Sequence, residues 1–406
     1  MPLHADDGRS GTPGPAAGRP ALARLVGDVD GFAENTWARG PLLRPSADPD
    51  GFDDLLTASA VDELVAERGL RTPFLRVARS GSTMANRAFT APGGLGAGIA
   101  DQVSDDKLTA LFADGATLVL QALHRTWRPI IDFCQQLAAD LGHPVQANAY
   151  VTPPQNQGFD DHYDVHDVFV LQIAGRKRWS IHSPVLPSPL RDQPWTDRRD
   201  DVRRAAEEEP VIETVLEPGD ALYLPRGYLH SATALGGVTI HLTLGVHSWT
   251  RHAVAEELVT LALRRLSDDE DARASLPLGT TLAPDEIDAE VVGKLLREAL
   301  DGLDPAEIAE QMRARRRDTQ RAAPVGPLAQ HALSTSLADH TVLRLRDHLD
   351  VTLTEHTVVS RAGSVDVADV PTEVVRRLLA GERVTAGELG TGAARRMIEA
   401  GLVVAG

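Results

Sequence analysis

Residues 162–164 read His162-Tyr163-Asp164, and His230 closes the later phrase Gly219-Asp-Ala-Leu-Tyr-Leu-Pro-Arg-Gly-Tyr-Leu-His230. On a strand, residues i and i+2 project to the same side, so His162 and Asp164 share a face. A second histidine arriving from a distant strand completes a three-ligand set. Two imidazoles and one carboxylate with open positions favour non-haem Fe(II) oxygen chemistry. They suit a divalent first-row metal far better than Mg²⁺ or Ca²⁺. The surroundings of His230 explain its placement: Glu217-Pro-Gly-Asp makes a turn and Ala221-Leu-Tyr-Leu a strand. Pro225-Arg-Gly-Tyr then makes a second turn, which sets His230 at the start of the following strand.

Working outward, the period between residues 146 and 250 is that of strands. Asn148-Ala-Tyr-Val-Thr is short and ends at Pro153-Pro154; Asp167–Ile173 and Lys177–His182 are two runs separated by a turn at Ala174-Gly175-Arg176. Residues 183–210, rich in Pro, Arg, Asp and Glu, read as a polar excursion. Strand signals return at Ile212–Leu216, Ala221–Leu224 and Val238–Val246. Many short strands with Gly/Pro turns predict a double-sheet barrel of the jelly-roll or cupin type. Within it His166, His182 and His247 are expected to be bystanders, and His241 could face the cavity.

The flanks are helical. Residues 21–80 hold short amphipathic helices, with Gly69 a stop signal, and residues 106–141 read as another helical stretch. After Trp249 helices are expected over His252–Leu266, Ile287–Leu300 and Pro305–Arg317. The run Arg313-Ala-Arg-Arg-Arg sits where a helix C-terminus favours positive charge. Three more helices (Pro371–Leu379, Val384–Leu389, Ala393–Ala400) and a final strand at Gly401-Leu-Val-Val outline a winged helix. The fold class is therefore α+β.

A chain of 406 residues is long enough for two or three domains. Its net charge of −17 argues against general nucleic-acid binding and is compatible with a basic partner. The acidic residues among the last helices' arginines point the winged helix to protein contacts rather than DNA. One cysteine, Cys134, excludes an internal disulfide and fits a reducing cytoplasm. No apolar stretch approaches a membrane span. Residues 1–20 lack a signal pattern and are expected to be a disordered lead-in.

The string from Asn148 to Trp179, with Pro218–His230 and His241-Leu-Thr-Leu, resembles the core signature of the JmjC-type ribosomal oxygenases, cupin-like 2-oxoglutarate oxygenases that hydroxylate ribosomal proteins. The likeness covers residues 25–250, and the order of the later parts also agrees. It implies a double-stranded β-helix domain over 21–250, a helical dimerisation region over 251–322 and a winged helix over 323–406. It implies His162, Asp164 and His230 as Fe(II) ligands, and Lys177 as the cation that pairs with the distal carboxylate of the 2-oxoglutarate cosubstrate. Strand alternation would send Arg176 and Arg178 to the opposite face. Asn148 and Tyr150 match positions near cosubstrate and substrate, and Thr243 shares the face of His241. The chain departs from the pattern at Asp160-Asp161, where relatives often carry proline, and at Gly245, where some carry a substrate-contacting serine.

The expected function is hydroxylation of a His or Arg side chain of a ribosomal or other basic protein, by a homodimer. The alternatives are the same chemistry on a small metabolite or modified peptide, and a non-catalytic metal-binding regulator that uses its winged helix for contacts.

Overall fold

A computed structural model describes residues 19–79, 81–154, 156, 159–284, 286–319 and 321–406. It divides into two compact units that meet in sequence between Ser248 and Trp249. The expected lead-in lies outside the described residues except at its end, where Pro20 already opens the helix Pro20–Val26. Proline suits that first position because its missing N–H would be unpaired there anyway.

The first unit is built on strands β1 (Leu42–Arg44), β2 (Leu75–Arg79) and β3 (Ser82–Thr83), followed by the small ladder of β4 (Thr90–Ala91) and β5 (Gln102–Val103). Then come β6 (Thr117–Leu120), β7 (Val145–Thr152), β8 (Asp167–His182), β9 (Ile212–Leu216), β10 (Ala221–Leu224) and β11 (Leu229–Val246). The main sheet runs β1-β10-β8-β11-β7-β6-β2-β3, and β9 pairs with the far half of β8. Every pairing is antiparallel.

Two sequence expectations change here. The runs Asp167–Ile173 and Lys177–His182 are one continuous strand, kinked rather than interrupted at Gly175. Opposite it, β11 reaches back to Leu229 and shifts register between Leu235 and Ile240. A bulge of this kind bends the paired strands together, so one long antiparallel pair, β8 with β11, carries partners along both halves: β10 on the first half of β8 and β9 on the second. Gly175 has φ +65°, and a Cβ there would lie 2.3 Å from the Val238 carbonyl oxygen. The buried Gln172 amide seals the kink, donating to the carbonyls of Ala174 (2.9 Å) and Gly175 (3.2 Å).

The second change concerns residues 106–141, which are not all helical. Helices Asp105–Ala113 and Arg128–Leu141 flank the buried strand β6. Thr117-Leu-Val-Leu is buried along its whole length, and a short apolar run of this kind cannot be told from a helix by period alone. Alternation along β7 divides the domain's interior. Ala147, Ala149 and Val151 join the apolar core with Ile130, Cys134 and Leu137 of the helix Arg128–Leu141. Asn148, Tyr150 and Thr152 fall on the other face, inside the barrel.

The excursion 183–210 is packed rather than loose. Its helix Arg199–Ala206 places Val202 against Tyr163 and Leu229, and the Tyr163 hydroxyl donates to the Gln193 carbonyl at 2.9 Å. Tyr163→Phe should lower the stability of this unit by about 1 kcal/mol, as for one lost hydrogen bond, readable as a shifted urea midpoint with an unchanged slope.

In the second unit, helices Arg251–Leu266, Ala289–Asp301 and Pro305–Thr319 come first. The arginine run is tied down by acids: Arg315 pairs with Glu257 at 2.8 Å, Arg316 with Asp350 at 3.2 Å and Arg317 with Glu310 at 3.2 Å. Strands β12 (Val342–Leu345), β13 (Val351–Thr354), β14 (Thr357–Ser360), β15 (Gly363–Asp366), β16 (Val384–Thr385) and β17 (Val403–Ala405) form two three-stranded sheets, β16-β12-β17 and β13-β14-β15. The β13–β15 meander was not read from sequence, and residues 384–389 are a strand pair plus the short helix Ala386–Leu389. Helices Thr372–Leu379 and Thr391–Glu399 lie where expected and share a core with Leu343, Leu402 and Val403.

Candidate metal centre

His162 and His230 form an isolated antiparallel bridge. Each backbone N–H donates to the other's carbonyl, at 3.2 and 2.8 Å, which sets the two imidazoles side by side with ring centroids 4.5 Å apart. Asp164 is held from the other side: the Gly227 N–H donates to its carbonyl at 3.0 Å. The Pro225-Arg226-Gly227 turn fits closely enough to require glycine, since Gly227 has φ +92° and a Cβ would meet the Leu186 carbonyl at 2.5 Å. Arg226 N–H donates to the buried Asp167 carboxylate at 2.9 Å, fixing the same turn one residue earlier.

One ligand atom from each of His162, Asp164 and His230 lies within 4.8 Å of the others. His162 Nδ1 is 2.7 Å from the Asp160 carbonyl and His230 Nδ1 is 3.1 Å from the Tyr228 carbonyl. A carbonyl only accepts, so both Nδ1 atoms hold the proton and both Nε2 lone pairs are left for a metal. Burial, then the neighbouring His162, push the His230 pKa down to about 4 and keep the ring neutral. Burial alone would raise Asp164, but the facing His166, His230 and His162, with Arg76, outweigh it and keep the carboxylate ionised. Neutral imidazoles beside an ionised carboxylate are the protonation states that a divalent first-row ion requires.

Lys177 lies in the barrel interior at 2 % exposure, its Nζ 3.3 Å from Thr152 Oγ1 and 3.2 Å from His241 Nδ1. Both partners are neutral, and burial pulls the Lys177 pKa down to about 7. Arg176 and Arg178 point outward to Glu217 (3.3 Å) and Glu213 (4.0 Å), as alternation predicts. His241, read from sequence as at most a cavity neighbour, is buried against Lys177. It stacks on Tyr150, with centroids 4.8 Å apart and planes 2° from parallel, and meets Trp179 edge-on. Burial holds His241 far below the ordinary histidine value, and burial next to Asp164 pushes the Tyr150 hydroxyl up to about 12.

Asp164, Asn148, Tyr150 and Thr243 line one cavity of about 360 Å³, together with Arg76, Gln146 and His166. Lys177 is not on its wall, so the expected cofactor residues fall into two groups: Lys177 in the interior, and Asn148, Tyr150 and Thr243 on the cavity. His166 was expected to have no partner; instead its Nε2 is 3.2 Å from Gln146 Nε2 and its ring packs edge-on against His247. Its position two residues beyond Asp164 in sequence was a legible sign that it lies close to the site. Gly245 lies behind this pair, where a Cβ would come within 3.0–3.1 Å of Gln146 and His166.

The fold and site together define a JmjC domain, and the family model for that domain matches residues 121–254. The relatives are ribosomal oxygenases in name. The chain is 36 % identical to human ribosomal oxygenase 1 over 174 residues, 41 % of this chain and 26 % of that protein. It is 30 % identical over 226 residues to the Aedes aegypti bifunctional lysine-specific demethylase and histidyl-hydroxylase NO66, 54 % of this chain and 33 % of that one. The chain thus spans about a quarter to a third of these curated relatives. In fold it is similar to YcfD, a ribosomal oxygenase from Escherichia coli solved with cobalt and 2-oxoglutarate. The TM-score is 0.56 at 17 % identity, over 94 % of this chain and 98 % of that one. Residues 121–254 thus match the JmjC domain model, and the chain is similar to proteins named ribosomal oxygenases.

Proposed function

We propose that this chain is an Fe(II)- and 2-oxoglutarate-dependent oxygenase that hydroxylates a His or Arg side chain of a ribosomal or other basic protein. The observation that carries the reading is the His162–Asp164–His230 set with both Nε2 lone pairs free, beside a buried cation, Lys177, with only neutral partners. Bound iron would supply the oxidation, in which 2-oxoglutarate gives succinate and CO₂ and one atom of O₂ becomes the substrate's new hydroxyl. The protein's part is to hold the three ligands, anchor the distal carboxylate on Lys177 and exclude water from the centre. Asn148, Tyr150 and Thr243 would line the path of cosubstrate and substrate. The relatives' names, ribosomal oxygenase and histidyl-hydroxylase, support the substrate class.

Fe(II)-dependent succinate formation tests this. His162→Ala should lose it by at least about a thousandfold, as expected when a ligand of the reactive centre is removed. A gain of one oxygen mass on a ribosomal protein, seen only in cells that hold the gene, tests the substrate. Turnover without that gain would favour a small-molecule substrate.

We also propose that residues 251–322 form a dimerisation region and 323–406 a winged helix with a protein-contact role, the chain working in the cytoplasm. Exposed Val259, Leu263, Val291 and Val292, at 41 %, 56 %, 51 % and 59 %, support the dimer. Sedimentation of a monomer at micromolar concentration would remove it. No helix among the described residues is long and apolar enough to cross a membrane.

A further inference from the structure

Arg76 is the permanent positive charge of the cavity wall; it acts on Asp164 and Tyr150 through space but forms no hydrogen bond to either among the described residues. The register sets it beside Val119 on β6, and Val119 beside Tyr150 on β7, so Arg76, Val119, Tyr150 and His241 form one row across the sheet. In an antiparallel sheet such a row shares a face. Arg76 therefore belongs to the inner face, and it lines the cavity with Asp164 and Tyr150. Its Nε is buried with no hydrogen-bond partner, and no ion pair to Arg76 is formed among the described residues. A guanidinium offers five N–H donors and never loses its charge in a protein, so an unpartnered one beside a cavity is matched by an acceptor that arrives from outside.

The surroundings indicate which acceptor. Among the described residues the only carboxylate on the cavity wall is Asp164, which the metal would take, and the wall's other titratable groups besides Arg76 are His124, His166 and Tyr150. The cosubstrate's distal carboxylate has its own cation in Lys177, off this wall. Asn148, Gln146 and Gln121 add neutral amides. The wall thus carries one permanent cation, Arg76, against one carboxylate that the metal would engage, in a chain whose net charge is −17.

We infer that Arg76 is a specificity-determining residue that binds a carboxylate of the substrate, so that the hydroxylated side chain lies next to an acidic residue or a free chain terminus. The inference rests on the oxygenase reading and gives its substrate a second recognised feature. A planar guanidinium meets a carboxylate through two parallel hydrogen bonds, which fixes orientation as well as binding. A substrate held there would be pinned at one end while its target side chain reaches the metal past Tyr150.

The test needs no turnover. Protein loaded with Mn(II) and saturated with 2-oxoglutarate is titrated with acetate or with its neutral isostere acetamide, and the metal-induced broadening of the probe's methyl proton signal is followed. Wild-type protein should broaden acetate saturably and at least fivefold more than acetamide. Arg76→Gln should raise the half-saturating acetate concentration at least tenfold, and Arg76→Lys, which keeps the charge but not the planar fork, should fall between wild type and Arg76→Gln. Equal broadening of the two probes, or an unchanged acetate response in Arg76→Gln, overturns the inference. So does a tenfold loss of Mn(II) affinity in Arg76→Gln with acetate unaffected, which would make Arg76 a support of Asp164. Two competing peptides separate the sources: acetyl-Gly-Gly-His-Asp-Gly-amide carries only an acidic side chain, and acetyl-Gly-Gly-His-Gly only a free terminus. The one that displaces acetate at lower concentration identifies the carboxylate, and displacement by neither overturns the inference. Failure of the oxygenase reading would show separately, as no succinate from wild-type protein with Fe(II).

Discussion

Lys177→Ala is expected to raise the 2-oxoglutarate concentration for half-maximal turnover by about two orders of magnitude, with metal affinity within threefold of wild type. Removing one partner of a buried, hydrogen-bonded charge pair costs about 2–5 kcal/mol, and each 1.4 kcal/mol is a factor of ten in binding. Metal affinity should be spared because Lys177 contacts Thr152 and His241 rather than a ligand. The same lysine predicts a pH dependence with a definite sign. Burial places its pKa at about 7 in the cosubstrate-free protein, and a dianion needs the ammonium form. Binding 2-oxoglutarate should therefore take up a proton above neutrality, and affinity should fall as pH rises through 7 and beyond. Lys177→Arg would flatten that profile if it packs, because guanidinium does not titrate there. Calorimetry of 2-oxoglutarate binding in buffers of different ionisation enthalpy measures the uptake directly; no uptake at pH 8 would mean that another group holds the carboxylate. Loss of metal binding in Lys177→Ala would reassign the lysine to the centre.

The second large effect is expected at Gly175. Gly175→Ala adds a Cβ 2.3 Å from a backbone carbonyl at φ +65°, so neither a rotamer change nor a side-chain shift relieves it. Forcing alanine into that conformation against backbone should cost about 3 kcal/mol or more, at the severe end of single substitutions. For a unit of this size the melting transition should fall by about 6–12 °C. Gly69→Ala is the control, with positive φ but only a side-chain amide 3.8 Å from the added Cβ. It should cost about 1 kcal/mol. Equal melting points for the two variants would show that the kink tolerates a side chain.

How much of this was legible in the sequence differs by element. The triad could be read because its ligands are close in sequence or set by local turns: His162 and Asp164 stand two residues apart, although only an isolated bridge and not a strand holds them, and His230 follows two turns that bracket a four-residue strand. Lys177 came through resemblance, and its burial is the sort of fact that alternation beside Arg176 and Arg178 makes plain. The kink was not legible as a kink, because Ala174-Gly175-Arg176 has the composition of a turn, and only pairing to β11 shows that the strand continues through it. β6 was lost between two helices because its four residues carry no alternation. Arg76 was invisible for a different reason. Its meaning depends on the row Arg76–Val119–Tyr150, which spans three strands far apart in sequence. His166 should have been seen, since it repeats the spacing of His162 and Asp164.

Tyr163 sits between two ligands yet faces away from them, into Val202, Leu229 and the carbonyl of Gln193. The peptide that presents the metal ligands to one side thereby grips the 183–210 segment on the other. A chain of this kind cannot remodel its outer segment freely while leaving its chemistry alone, because any shift of that segment pulls on the short stretch ahead of β8 that carries His162 and Asp164. Variation in substrate choice would then be drawn from the opposite wall, at Arg76, Gln146 and Gly245, where side chains can change without moving the backbone that holds the centre.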